Sequence, residues 1–240
     1  MGKIKLTLTL LLVIVSTGLQ ANAHIDGWFR VTGSLILNSK WQTDAELQGR
    51  WQNGLNNTNP LREKLLYSYR HWIYYEHSKT MQLGVSPFAY YTLYKRIADS
   101  ADNRKPPVHE YRASVSAMFR QHVIGNLYTI DKTMLEYRVF DHADNILRLR
   151  NKLGLEYRIN TMLTSRLFYE VLLNAAGVKK QHFFDHQRTG AGLECRMSKA
   201  SVEIGYMHIN KLPVITETTI TENNFFVNFR YSINSKKNKR

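Results

Sequence analysis

Residues 41–52 read WQTDAELQGRWQ. Every even position, Gln42, Asp44, Glu46, Gln48, Arg50 and Gln52, is polar, while Trp41, Ala45, Leu47 and Trp51 stand among the odd ones. Successive side chains of an extended chain point to opposite faces, so a period of two gives a strand with one polar and one apolar side. The pattern recurs over 65–76, where Ser68, Arg70 and Glu76 oppose Leu65, Tyr67, Tyr69, Ile73 and Tyr75. Over 110–122, Glu110, Arg112, Ser114, Ser116 and Arg120 oppose Tyr111, Ala113, Val115, Ala117 and Phe119. Over 146–159, Arg148, Arg150, Lys152, Glu156 and Arg158 oppose Leu147, Leu149, Leu153, Leu155, Tyr157 and Ile159. Weaker alternation marks 28–38, 80–94, 125–139, 162–174, 184–197, 200–209 and 224–233, which brings the count to about 11 strands. No helical period competes with it after residue 23.

The N-terminus sets the compartment. Met1 to Lys5 is basic, Leu6 to Val15 is apolar apart from threonines, and Ala21-Asn22-Ala23 supplies small residues before His24. This three-part pattern predicts a cleavable signal peptide over 1–23 and a single domain over 24–240. The apolar run falls short of the roughly 20 residues a membrane helix needs. No cysteine follows it, which excludes a lipid-anchored N-terminus, and with Cys195 as the one thiol no intramolecular disulfide can form.

Lys and Arg number 33 against 19 Asp and Glu, an excess that in a cytoplasmic protein would raise nucleic-acid binding. An exported chain meets no nucleic acid, so the excess acts on anionic sugars or lipids, or is internal. A soluble β-sandwich would also alternate. Here, however, Tyr, Trp and Phe rim the apolar face near strand ends, as the aromatic girdles of a membrane barrel do. The strands run to about 11–14 residues, long for a soluble sheet and suited to a tilted membrane crossing. The fold class expected is therefore all-β: an antiparallel up-and-down transmembrane barrel of 10 to 12 strands. Bacterial single-chain barrels favour even numbers, which points to 10 or 12.

The connections alternate in length. Short turns at Asn38-Ser39-Lys40, His77-Ser78-Lys79, Asn160-Thr161 and Ser198-Lys199 interleave with long polar stretches at 53–63, 95–107, 175–183 and 210–222. If the short turns are periplasmic, the first strand runs inward from outside, and the mature N-terminus either crosses the membrane again or lies in the lumen.

Several stretches carry a resemblance: Trp28, Lys40-Trp41, Glu46 to Arg50, Arg148-Leu149-Arg150, Gly154-Leu155-Glu156-Tyr157-Arg158, Arg188-Thr189-Gly190-Ala191-Gly192-Leu193 and Glu203-Ile204-Gly205-Tyr206-Met207. In these the chain resembles, over nearly its whole mature length, the bacterial family catalogued as domain of unknown function 2490. The resemblance implies an outer-membrane β-barrel with no established activity, so no catalytic residue is carried over. One departure lies at the end. Such barrels usually finish on an aromatic residue read by the barrel assembly machinery, whereas here a basic tail over 234–240 follows Phe229, Tyr231 and Ile233. Those three residues can serve as the signal, with the tail in the periplasm.

In a barrel the polar face becomes the lumen. The residues expected to form its charge network are Glu46, Arg50, Arg70, Glu76, Glu110, Arg112, Arg120, Arg148, Arg150, Glu156, Arg158, Arg166, Glu170, Arg188, Glu194 and Arg196, together with Glu136, Arg138, Lys152, Glu203 and Arg230. Arginine suits the place, because its planar fork pairs two-pronged with carboxylates and keeps its charge when partly desolvated. Two readings stay open: a structural network that fills a small barrel, or a basic constriction drawing small anionic solutes through a narrow pore. Arg112, Arg150 and Glu156 lie near strand centres, and Arg150→Ala is expected to leave a carboxylate unpaired. A third class, a lipid-modifying enzyme, would use His with Ser or Asp near the outer rim. His71, His109, His122, Asp141, His142, Asp185, His186 and His208 form no recognisable motif for it, and read as rim or loop residues. No catalytic residue, cofactor or metal is implied. The expected partners are outer-membrane lipids and lipopolysaccharide, the assembly machinery and small anionic solutes.

Overall fold

The structure, a computed structural model, describes residues 24–55, 57–97, 99–212 and 219–234. The proposed signal peptide, with its Leu6 to Val15 run and Ala21-Asn22-Ala23 site, and most of the basic tail lie outside the described residues. All eleven alternating segments are strands: β1 (His24–Ile36), β2 (Trp41–Gln52), β3 (Glu63–Glu76), β4 (Met81–Leu93), β5 (Val108–Ile124), β6 (Leu127–Phe140), β7 (Ile146–Arg158), β8 (Leu163–Ala176), β9 (Phe184–Arg196), β10 (Ala200–Lys211) and β11 (Ile220–Asn234). Each pairs antiparallel with the next, and β1 pairs with β11 to close the barrel. A strand of 13 residues extends about 43 Å, and at a tilt near 40° it covers about 33 Å, enough for the hydrocarbon layer.

Eleven lies within the expected 10 to 12, and the preference for even numbers gives way here. Strands that alternate in direction leave the first and last running the same way when their number is odd, so the closing seam is parallel, with Phe29 beside Val227 and Leu35 beside Ile233. The short turns gather at one end, between β1 and β2, β3 and β4, β5 and β6, β7 and β8, and β9 and β10. β1 starts at the opposite end, at His24. Cleavage after Ala23 would therefore leave no residues for a further crossing.

The turns follow from their own side chains. Asn38 Oδ1 accepts from the backbone N–H groups of Lys40 (2.8 Å) and Trp41 (3.0 Å), and Asn160 Oδ1 accepts from Met162 and Leu163, both at 2.8 Å. Asn side chains satisfy exposed turn amides in this way. Between β5 and β6 the turn narrows to two residues, where Gly125 takes φ 55°, a left-handed conformation that favours glycine.

The faces are inside out relative to a soluble protein. Leu47, Val31, Val115 and Leu155 are exposed on the outer wall, with Leu47 at 60 %, whereas Glu110, Glu136 and Asp44 are buried within. Apolar residues facing out around a closed sheet fit an apolar surrounding. Aromatic rings gather at both ends of this wall. Trp41 packs on Tyr75 (4.9 Å) at the short-turn end, and Phe29, Trp51, Tyr67 and Tyr94 form an edge-to-face series towards the other. Cys195 is half-buried and alternates with Glu194.

Two departures from strict alternation matter for the lumen. In β4 the register shifts between Ser86 and Ala89, at Pro87, which has no N–H for the ladder. Buried positions change there from even (Gly84, Ser86) to odd (Ala89, Tyr91). Between β8 and β9 the pairing passes from Leu172–His186 to Leu173–Phe184, so Asp185 is an extra residue, and it is buried alongside His186.

Candidate functional site: a charged lumen

Three tiers of ion pairs occupy the barrel. At the long-loop mouth, Arg96 comes from the connection after β4 and reaches Asp26 of β1 (Nη2 to Oδ2, 2.6 Å) and Glu222 of β11 (2.8 Å). Burial alone lowers the pKa of Arg96, but the Glu222 and Asp26 carboxylates beside it outweigh this and hold it above its ordinary value. Gln52 fastens the same segment, donating to the Lys95 carbonyl at 2.9 Å and accepting from the Ile97 N–H at 3.2 Å.

The middle tier is built on shared carboxylates. Glu136 on β6 accepts from Arg70 of β3 at 2.8 Å and from Arg148 of β7 at 2.5 and 2.9 Å, with Arg112 of β5 at 3.9 Å. Glu110 accepts from Arg112 and from Arg138 (2.7 Å). Glu170 accepts from Arg150 at 2.5 Å and Arg188 at 3.1 Å, and Arg148 also reaches Asp185 at 3.0 Å. Two arginines on one carboxylate explain how the tier tolerates an excess of cations, since each oxygen can accept more than one N–H.

The tier near the short turns centres on Arg166. It lies 2.7 Å from Glu194, 3.2 Å from Glu203 and 3.8 Å from Glu156, and Glu156 also faces Arg120 at 3.5 Å. Arg230 on β11 meets Asp44 on β2 at 2.7 Å across β1, which lies between them. A cavity of about 190 Å³ opens here, lined in part by Arg30, Glu46, Arg166, Glu203 and Arg230.

The remaining expected network members take other places. Glu76 bonds Gln82 near the short-turn rim, and Arg196, the more exposed partner of Glu194 at 3.3 Å, also stands at that rim. Arg158 lies over the Tyr128 ring (4.6 Å), Arg50 over Trp28 (3.4 Å), and Glu46 lines the cavity. Asp26, Asp44, Asp185, Arg96 and Glu222 belong to the tiers and were absent from the sequence-derived set. The interior also holds apolar clusters that alternation assigned to no role: Trp28 with Met207, Ile209 and Phe226, and Trp72 with Tyr74 and Met134.

The histidines are dispersed. His71 contacts Thr43 (2.7 Å), His109 contacts Tyr90 (2.6 Å), His122 contacts the Gly125 carbonyl (2.8 Å) and His208 contacts Asn223 (2.9 Å). Asp141 accepts from the His109 backbone at 3.1 Å. His186 and Asp185 depart from the rim reading, since the two are buried side by side inside the barrel.

A closed sheet with apolar residues outside and paired charges inside defines a porin-like β-barrel. Seven chains of solved structures are similar to it. One is the NanC porin, with a TM-score of 0.52 at 10 % identity, covering 88 % of this chain and 99 % of that one. At that identity the likeness is one of fold. The chain belongs to the family described as protein of unknown function (DUF2490), which it matches over residues 25–212. No curated protein matches it in sequence.

Proposed function

We propose that this chain is a narrow outer-membrane pore whose lumen is bridged by its Arg/Glu tiers and which prefers anions. Export through the signal peptide over 1–23, contact of the outer wall with lipids and lipopolysaccharide, and recognition of Phe229, Tyr231 and Ile233 by the assembly machinery belong to the same reading. The observation that carries it is Arg96, held between Asp26 and Glu222 at the mouth. Its segment comes from a long loop, outside the strand ladders, so it can leave the mouth without breaking the wall.

Planar-bilayer recording tests this. The native chain should show small, intermittent conductance with anion preference, and Arg96→Ala should conduct more steadily and more strongly. A large steady conductance that Arg96→Ala leaves unchanged would overturn the reading. Silence in both proteins would favour a purely structural barrel.

A further inference from the structure

Among the described residues, the tiers leave several lumen-side cations without a carboxylate partner, Arg158 near the short-turn rim among them. Among the described residues, Arg30, Arg50, Lys132 and Lys152 make no ion pair within 4 Å. Lys132 and Lys152 stand directly opposite each other on β6 and β7, an arrangement in which like charges repel. Each rests on aromatic faces, Lys152 over Phe168 (3.9 Å) and Lys132 over Trp72 (5.2 Å) and Tyr74 (5.8 Å). Arg50 stacks on Trp28, and Gln48, with its amide oxygen turned towards Arg50, accepts from Nε at 2.8 Å.

The charges acting on these groups tie them into one set. Arg50 feels Arg188, Arg30 and Arg112 as well as the Tyr91 hydroxyl. Lys152 feels Glu170, Glu203, Arg150 and Arg30, and Lys132 feels Arg150, Glu46, Arg70 and Lys152. Glu170 is already shared by Arg150 and Arg188, and Glu203 is held by Arg166. That leaves Glu46 as the carboxylate of this group without an ion pair among the described residues. Three buried donors nearby have no acceptor: Arg30 Nε, Arg188 Nε and the Trp28 indole N–H. Arg188 and Trp28 are both more than nine-tenths buried, and Arg188 lies 5.4 Å from the Trp28 ring. Arg30 also lines the cavity on the short-turn side, which gives an approach to the set.

We propose that Arg30, Arg50, Lys132 and Lys152 form a binding site for a small oxyanion-bearing solute, a carboxylate or a phosphate ester, entering from the cavity. A positive charge partly withdrawn from water, as these four are, costs free energy unless paired, and buried unsatisfied N–H donors add to that cost. An oxyanion relieves both at once. The site deepens the proposed pore, since it would be the place where a passing anion pauses.

Calorimetric titration of the folded protein in detergent, with gluconate, glucose 6-phosphate and glucose as probes, tests the site. One or both anions should bind and glucose should not, and the tighter of the two identifies the oxyanion. The Lys132→Met/Lys152→Met double variant, with folding checked by heat-dependent gel mobility, should weaken binding on the order of tenfold or more. Arg50→Gln serves the same purpose if the double variant fails to fold. Equal binding of glucose, no binding of either anion, or unchanged affinity in the folded variants would overturn the proposal. An anion-selective conductance without binding removes the site and leaves the pore, whereas binding without conductance removes the pore and leaves the site.

Discussion

At the scale of single residues, the energetics of the lumen depend on how many partners a charge retains after a substitution. Glu136 is buried and serves Arg70 and Arg148 directly. Glu136→Ala leaves Arg148 with Asp185 alone and strands Arg70, which has no other carboxylate among the described residues, and removing one member of a buried pair costs about 3–5 kcal/mol. A denaturant titration of the refolded barrel should show a loss of that order. Arg150→Ala behaves differently from the sequence-based expectation, because Glu170 keeps Arg188 at 3.1 Å and no carboxylate is left unpaired. Its loss should be well under half that of Glu136→Ala. Equal losses would show that the tiers act as independent pairs and that shared carboxylates carry no weight.

At the scale of elements, two connections separate conformational cost from steric cost. Gly125 has φ 55°, and a Cβ there would meet nothing within 4 Å. Gly177 has φ 85°, and a Cβ there would fall 1.8 Å from the Asn145 carbonyl oxygen, a backbone atom that cannot swing aside. Gly125→Ala should therefore cost about 1 kcal/mol. Gly177→Ala should cost clearly more, and heat-dependent gel mobility across a temperature series would rank them. A reversed order would contradict the loop geometry. The same scale explains what the sequence disclosed. β2 runs from Trp41 to Gln52, as its alternation marked, because it is a strand with one polar face and one apolar face over nearly its whole length. β4 alternates weakly because the irregularity at Pro87 reverses the parity of its buried positions halfway along. Asp185 reads in the sequence as a rim or loop residue for a related reason, since the extra residue beside β8 turns two neighbours inward together. Arg96 had no strand periodicity to reveal it, and its role depends on a loop folding back into the mouth. The unpaired lysines were invisible as a pair, because which residues face each other is fixed by register between strands.

For the whole molecule, closure is the claim on which the lumen, its tiers and the proposed anion site all rest. An odd number of strands demands a parallel seam between β1 and β11, against the even-numbered expectation. Cysteine pairs placed across that seam in a Cys195→Ser background test it most directly. Phe29→Cys with Val227→Cys and Leu35→Cys with Ile233→Cys join residues that are register partners, the first near the middle of the seam and the second near its short-turn end. Neighbouring strands bring Cα atoms within the 4.4–6.8 Å or so that a disulfide spans. An antiparallel seam could bring together at most one of the two pairs. Both pairs should cross-link in outer-membrane preparations under mild oxidation, read as a mobility shift on non-reducing gels of the boiled protein. Cross-linking of neither pair, or of one alone, would contradict the eleven-stranded closed barrel.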